Sequence, residues 1–260
     1  MRQRKQRQLA MGTSGGYRVT DRAECTVLPD GESLAGSVAA WLLERVLAHP
    51  GRVSICLAGG STLLRLYQVL AQEPFCEQMP WHRIHWFWTD ERFVPANDAR
   101  SNSRMVREAM LDRVRSPAGS VHPISTDGLS LDAAVVAYER GLKTFYGADE
   151  LIADRPLFDV TLLGLGADGR IASLLPGTSV LEERSRWVAA VVGPVPEARI
   201  TLTYPALESS RNVAFLVTGA SKRGVLARAR NGAQDIPAAR LRPIGRLHWF
   251  ADRAAAIGFA

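Results

Sequence analysis

Residues 158–177 read FDVTLLGLGADGRIASLLPG, and this stretch decides the fold. After its aspartate, the run 159–163 consists of β-branched residues and leucine, which predicts a strand covered on both faces of a parallel sheet. The glycines that follow let the backbone turn sharply and bring N–H groups close to a ligand; they are Gly164, Gly166 and Gly169. Residues 170–175 predict about two helical turns before a Pro-Gly pair ends them. Open α/β sheets bind ligands in such a loop between a strand and a helix, so we expect chemistry here.

The composition is that of an ordinary globular protein, with 260 residues, 47% of them hydrophobic and 22% charged. These values allow one large core, and we expect a single domain over residues 17–260. No apolar run approaches the roughly 18 to 20 residues that span a bilayer, so we expect no membrane partner and a cytoplasmic location. The three cysteines lie far apart and form no C-x-x-C pair, which argues against a metal cluster or a disulfide framework.

Much of the positive charge lies near the amino terminus. The formal net charge is +6, and four of the cations stand close together without an acid beside them: Arg2, Arg4, Lys5 and Arg7. Residues 1–16 are therefore predicted to form a disordered basic tail. This tail has no aromatic residue on which a base could stack, so a nucleic-acid partner is not expected.

A strand, a polar loop and a helix follow one another four times along the chain. The predicted strands of these units are residues 53–57, 84–88, 159–163 and 212–218, and their loops are residues 59–62, 89–92, 164–170 and 219–222. Other predicted elements are strands at 187–192, 199–203 and 247–250, and helices at 33–49, 101–111 and 131–146. Because crossovers between parallel strands are right-handed, the pattern predicts an α/β fold with an open, mostly parallel sheet and helices on both faces. The four loops should then line one crevice.

Two of these loops have a composition suited to binding an anion. Residues 59–62 are two glycines and two hydroxyl residues, which offer N–H groups and hydroxyl donors to a phosphate. A tight turn with a Ser or Thr helix cap has the same composition. Residues 90–92 are three adjacent charged side chains, which in a surface loop can simply face solvent. Since each loop has an ordinary structural explanation, it is their joint occurrence at corresponding strand ends that favours a binding site.

Residues 164–169 also match the dinucleotide-binding pattern G-x-G-x-x-G. That pattern requires a full-length helix after the glycines and then a second strand that ends in an acidic residue about 20 positions on. Here a Pro-Gly pair interrupts the helix, and the acids Glu182 and Glu183 lie in a polar run. We therefore expect no nicotinamide or flavin cofactor.

From about Ala23 to Ala256 the chain resembles the 6-phosphogluconolactonase family. The motifs that carry the resemblance are LAGGST at 57–62, WTDERFVP at 88–95, LGLGADG at 163–169, ASLLPG at 172–177 and RITLT at 199–203. The family belongs to a wider superfamily with amino-sugar-phosphate deaminases, whose members share an open Rossmann-like sheet. The resemblance implies hydrolysis of 6-phospho-D-glucono-1,5-lactone to 6-phosphogluconate, the second step of the oxidative pentose phosphate pathway. It also implies a small phosphorylated sugar lactone as partner, no metal or organic cofactor, and a monomer or weak homodimer.

Carried over by position, the resemblance implies a set of substrate and phosphate contacts. These are Gly59, Gly60, Ser61, Thr62, Asp90, Arg92, Asn102, Gly166, Arg199 and Lys222. The residue types fit, because a phosphate dianion is bound by backbone N–H groups and cations, and arginine can donate two parallel hydrogen bonds to it. Arg199 could instead be a strand residue whose charged end reaches water.

The chain departs from the family at the residue that follows Asp168-Gly169. The family normally has a histidine there, thought to take a proton from the attacking water, whereas this chain has Arg170. Deprotonating a guanidinium near pH 7 would cost about 8 kcal/mol, so Arg170 cannot be the base. Three hypotheses follow. Glu91 or Asp168 accepts the proton while Arg170 holds the oxyanion, the chain binds a sugar phosphate without turnover, or Arg170 binds an extra anionic group of another substrate. An amino-sugar-phosphate isomerase or deaminase is a further, less favoured alternative.

Overall fold

The computed structural model describes residues 23–193 and 195–257. Its strands are β1 (Ala23–Leu28), β2 (Val53–Leu57), β3 (Ile84–Trp88), β4 (Asp90–Arg92), β5 (Val160–Gly164), β6 (Val188–Val191), β7 (Arg199–Leu202), β8 (Asn212–Val217) and β9 (Arg246–Asp252). Its α-helices are α1 (Gly31–Ala48), α2 (Ser61–Leu70), α3 (Phe75–Gln78), α4 (Asn102–Ala109), α5 (Leu131–Tyr146), α6 (Tyr204–Glu208), α7 (Arg223–Arg230), α8 (Pro237–Arg240) and α9 (Arg253–Ala256). The predicted basic tail, residues 1–16, lies outside the described residues.

Two sheets are present in this part of the chain. Six strands form a parallel sheet in the order β1-β9-β8-β5-β2-β3, flanked by helices. Three short strands form an antiparallel sheet in the order β4-β7-β6. The predicted α/β fold with a mostly parallel sheet is confirmed. Among the described helices, none combines the length and the apolar character that crossing a membrane requires.

The inner strands of the parallel sheet are buried along almost their whole length. Every residue of β2 and β8 is buried, as is every residue of β5 before Gly164. Strands covered by helices on both faces are near-continuous apolar runs, which is why the sequence pattern identified them. β1, at the sheet edge, has no buried residue, and its mixed sequence AECTVL was not predicted as a strand.

The order of the strands places the four predicted loops together. β8, β5, β2 and β3 are neighbours in the sheet and run parallel, so the loops that follow them meet at one edge. The strand ends therefore lie side by side, as the predicted crevice requires. Strands β2 and β3 and helix α5 also have the predicted bounds.

Residues 90–92 do not form the loop expected from their three charges. They form β4, which pairs with β7 in the second sheet. The predicted strands at 187–192 and 199–203 supply β6 and β7, so they also belong to this small sheet. A three-residue charged strand has neither the length nor the apolar alternation by which strands are recognised in a sequence.

Residues 170–175 do not form the predicted helix. Ala172 has φ 48°, in the left-handed region, and Ile171 pairs with Leu174 in an isolated antiparallel bridge. Ser173 bonds to two distant residues, since its N–H donates to Thr201 Oγ1 at 3.2 Å and its hydroxyl donates to Asp90 Oδ2 at 2.6 Å. These long-range hydrogen bonds fix the segment as a turn against the second sheet.

Candidate active site

A cavity of about 200 Å³ opens at the carboxyl ends of β8, β5 and β2. Each predicted contact residue lines it, together with Arg170. They are Gly59, Gly60, Ser61, Thr62, Asp90, Arg92, Asn102, Gly166, Arg199 and Lys222. The loops after β2, β5 and β8, strands β4 and β7, and the first residue of α4 thus contribute to one site.

One wall of the cavity is the amino end of helix α2. Gly60 precedes the helix with φ 112°, a conformation that favours glycine, and no side chain caps the helix there. The first N–H groups of an α-helix have no partner within the helix, and the helix dipole makes this end favourable for an anion. Thr62 shares a hydroxyl–hydroxyl hydrogen bond of 2.7 Å with Thr218, which joins this loop to the end of β8. The wall can therefore hold a phosphate group.

Asn102 connects strand β4 to the loop after β2. Its Nδ2 donates to the Asp90 carbonyl oxygen at 2.8 Å, and its Oδ1 accepts from Arg92 Nη1 at 2.5 Å. A Cβ on Gly59 would lie 2.0 Å from that Oδ1, so only glycine fits beside it. Asn102 is 1% exposed.

Two arginines stand directly opposite each other in the small sheet. Arg92 of β4 is the register partner of Arg199 of β7, and like charges in such a pair repel. The Arg199 side chain is 12% exposed, its Nη1 is 3.9 Å from Asp90 Oδ2, and its Nε is buried without a hydrogen-bond partner among the described atoms. Burial lowers the pKa of Arg199, and the charges of Arg92 and Arg170 lower it further, while Asp90 raises it. The pair is suited to an anion that would compensate both charges.

The loop after β5 is closed by its own backbone. Gly166 N–H donates to the Arg170 carbonyl at 2.9 Å, and Gly169 N–H donates to the Gly166 carbonyl at 3.0 Å. Gly169 has φ 82°, and a Cβ there would lie 2.4 Å from Ile236 Cγ2. The loop is thus a rigid turn that directs the residue after Gly169 to the cavity wall.

Arg170 and Asp168 form a partly exposed pair at the mouth of the cavity. Arg170 Nη1 lies 3.6 Å from Asp168 Oδ2, and the two side chains are 40% and 44% exposed. Asp168 does not itself line the wall. The pKa of the neighbouring Lys222 is lowered by burial and by the charge of Arg170, and is raised by Asp168. Among the described residues that line the cavity, Arg92, Arg170, Arg199 and Lys222 are cations and Asp90 is the one carboxylate.

Glu91, predicted as a proton acceptor, does not line the cavity. It is 2% exposed, and four donors saturate its carboxylate: the N–H groups of Arg92, Asn102 and Ser103, and the Ser101 hydroxyl, at 2.7 to 3.0 Å. Burial raises its pKa, against the effect of the backbone hydrogen bonds. Glu91 therefore holds the amino end of α4, and we assign it to the position of Asn102 rather than to proton transfer.

Sequence reasoning missed the part that residues 172–173 play in the site. Ala172 lines the cavity, and the Ser173 hydroxyl, fully buried, fixes the Asp90 carboxylate. Ser173 belongs to the motif ASLLPG at 172–177. Because we predicted a helix over these residues, its hydrogen bonds to distant residues were not expected. No histidine is among the described residues that line the cavity; His85 and His248 lie in β3 and β9.

Comparisons with known proteins agree with this geometry. A family model described as "Glucosamine-6-phosphate isomerases/6-phosphogluconolactonase" matches residues 29–249. The 6-phosphogluconolactonase of Nostoc sp. strain PCC 7120 is 37% identical over 235 residues, which are 88% of this chain and 95% of the relative. That of Mycobacterium tuberculosis is 35% identical over 251 residues, 94% and 98% of the two chains. The crystal structure of 6-phosphogluconolactonase from Thermotoga maritima is 30% identical with a TM-score of 0.76, covering 89% of this chain and 100% of that one.

Proposed function

This chain belongs to the glucosamine-6-phosphate isomerase/6-phosphogluconolactonase family, and we propose that it hydrolyses 6-phospho-D-glucono-1,5-lactone to 6-phosphogluconate with Asp168 and Arg170 at the reacting carbon. The observation that carries the proposal is the convergence of four cations and a helix amino end on one cavity. A substrate with a phosphate at one end and a lactone carbonyl at the other needs positive charge at both.

The phosphate is assigned to the inner wall. Arg92 and Arg199 face each other there across β4 and β7, and residues 59–62 lie beside them at the same cavity. Guanidinium groups and unpaired helix N–H groups are the donors that a phosphate dianion prefers. This arrangement leaves Asp168 and Arg170, at the mouth of the cavity, to contact the lactone group.

The reacting carbonyl is assigned to Arg170. Attack by water on the lactone carbon places a negative charge on the carbonyl oxygen, and a fixed cation at hydrogen-bond distance stabilises that charge. The water proton passes to the Asp168 carboxylate. Asp168 then gives this proton to the ring oxygen as the ring C–O bond breaks, so that the ring oxygen leaves as a hydroxyl and Asp168 is again ionised. A general base typically contributes about 10² to 10⁴-fold, so an exposed carboxylate is sufficient for a reactive ester.

A stopped-flow assay on freshly generated lactone tests these roles. We expect the wild type to exceed spontaneous hydrolysis and Arg170→Ala to lose about 10² to 10³-fold in kcat, the typical loss for one oxyanion donor. Arg170→His should recover part of that loss because a neutral imidazole can take a proton. The matched control is Arg115→Ala, because Arg115 is exposed and does not line the cavity. This variant should have the kcat of the wild type.

Two further variants distinguish the roles of the Asp168 and Asp90 carboxylates. Asp168→Asn should lose about 10²-fold or more in kcat, whereas Asp90→Asn should mainly raise KM, since Asp90 is held by Ser173 and faces Arg199. A collapse of kcat in Asp90→Asn with Asp168→Asn unaffected would transfer the base to Asp90 and contradict the proposal. If the wild type does not exceed the rate of spontaneous hydrolysis while Arg170→His does, the chain binds a sugar phosphate without turnover. The cytoplasmic location and the monomeric or weakly dimeric state stay predictions.

A further inference from the structure

A second group of cations lies at the amino ends of the parallel strands, opposite the active site. Two adjacent cavities of about 370 and 260 Å³ open there, and His49, Asp159 and Arg211 line both. Arg45 lines the larger cavity, and Arg52 and Arg155 line the smaller one. These side chains come from the segments that lead into β2, β5 and β8, three neighbouring strands. We refer to the two cavities together as the basic pocket.

The charge of the basic pocket is not balanced by its own residues. Four guanidinium groups line it, and Asp159 is the one carboxylate among the described lining residues. Asp159 is already engaged, because its Oδ2 accepts from the Ser54 N–H at 2.9 Å and from the Ser54 hydroxyl at 3.1 Å. Its Oδ1 lies 3.3 Å from Arg211 Nε and 3.5 Å from His49 Nε2. Arg45 has a carboxylate of its own, since its Nη1 lies 3.3 Å from Glu44 Oε1. Among the described ion pairs, Arg52 and Arg155 are therefore the two lining arginines that no carboxylate compensates.

Two of the arginines are held in place by aromatic rings. The Arg52 guanidinium lies 4.3 Å above the Phe145 ring and donates to the Phe145 carbonyl at 3.1 Å. The Arg155 guanidinium lies 4.0 Å above the Tyr146 ring, and the Tyr146 hydroxyl donates to the Arg155 carbonyl at 2.7 Å. Both rings belong to the last two residues of α5. A stacked guanidinium has lost much of its rotational freedom, so binding a ligand costs it less entropy.

We propose that the basic pocket is a second ligand site, for a small molecule that carries a diphosphate group. Planar guanidinium forks match phosphate oxygens, and the two cavities that share Arg211 give room for two linked phosphoryl groups. The site is separate from the active site, which lies at the carboxyl ends of the same strands, and it does not depend on the proposed lactone hydrolysis.

Calorimetric titration of the full chain with inorganic pyrophosphate tests the proposal. The active-site variant Arg92→Ala/Lys222→Ala should still bind one pyrophosphate with wild-type affinity at this site. The variant Arg52→Gln/Arg155→Gln, which removes both guanidinium groups but keeps polar side chains, should lose at least tenfold in that affinity. Its kcat without pyrophosphate should stay unchanged, and Arg115→Gln is the control for an exposed arginine elsewhere.

The results that overturn the proposal are equally specific. Pyrophosphate binding that disappears in the active-site variant, or that is unaffected in Arg52→Gln/Arg155→Gln, would show that the basic pocket binds no diphosphate. Binding of an acidic peptide or a short RNA in place of pyrophosphate would assign the surface to a macromolecule instead. A parallel titration with ADP identifies the source of the group: tighter binding of ADP than of pyrophosphate would indicate a nucleoside diphosphate, and equal binding the diphosphate alone.

Discussion

Replacing Gly59 by alanine tests whether Asn102 holds the active site together. Gly59 does not have a positive φ, so its backbone accepts alanine, and the effect of the substitution comes from the added Cβ alone. That Cβ would lie 2.0 Å from Asn102 Oδ1 and 2.6 Å from its Cγ, both far inside contact distance. Asn102 must move by more than an ångström and give up its two hydrogen bonds.

The expected magnitude follows from those two bonds. The bond from Asn102 to the Asp90 carbonyl is a neutral one, of about 1 kcal/mol, and the bond from Arg92 is charge-assisted, of about 1.5 to 3 kcal/mol. Gly59→Ala should therefore lower the free energy of unfolding by about 2 to 4 kcal/mol, which is about 4 to 8 °C in Tm for a chain of this size. Since Arg92 loses its support, KM should rise more than kcat falls.

Calorimetry for Tm and the lactone assay for KM provide the measurements. Gly141→Ala is the matched control, because Gly141 lies on the exposed side of α5 with no atom within 4 Å of its added Cβ. That variant should be more stable than wild type by about 0.4 to 1 kcal/mol. If Gly59→Ala keeps both the wild-type Tm and the wild-type KM, Asn102 does not hold the site together.

Three other perturbations have defined outcomes. Glu91→Gln places an amide N–H₂ against at least one backbone N–H donor, so the free energy of unfolding should fall by about 1 to 3 kcal/mol in urea titrations, while kcat measured well below Tm stays within tenfold. A drop in kcat beyond 100-fold at unchanged stability would instead make Glu91 the base. Ser173→Ala removes the 2.6 Å bond to the Asp90 carboxylate and should raise KM, and a KM equal to wild type would mean that this bond does not position the substrate. Burial lowers the pKa of both His85 and His122, whose rings are joined by a 3.0 Å hydrogen bond. Below about pH 6.5 the unfolded chain therefore binds more protons than the folded chain. The free energy of unfolding should then fall as the pH decreases through that range. Urea titrations at pH 7.5 and 5.5 measure this loss, which should be smaller in His122→Phe, and an equal loss in both proteins would assign it to other groups.

The positions of the main loops could be predicted from the sequence because the inner strands are continuous apolar runs. Val53–Leu57 and Ile84–Trp88 have the predicted bounds, and glycines after β2, β5 and β8 marked where the backbone turns. Once the strands are parallel and adjacent, the loops must meet, so most of the cavity wall followed from local patterns and topology together.

What could not be predicted depends on contacts between distant residues. Residues 170–175 have the apolar spacing of a short helix, but the bonds of Ser173 to Thr201 and Asp90 outweigh that local preference. Similarly, the charge run that contains Glu91 gives no sign of which carboxylate faces the cavity and which caps α4. A single sequence records the residue types, whereas the partner of each polar group is decided by the tertiary structure.

If the opposed pair Arg92 and Arg199 binds the substrate phosphate as proposed, it would also link the survival of the folded chain to the supply of that anion. An anion that relieves this repulsion binds the native state alone, so at a concentration one hundred times its Kd it adds about 2.7 kcal/mol to the free energy of unfolding. Molecules deprived of that anion unfold more often and are exposed to proteases for longer. The abundance of the protein in a cell would then rise with the concentration of that anion, without any dedicated regulator.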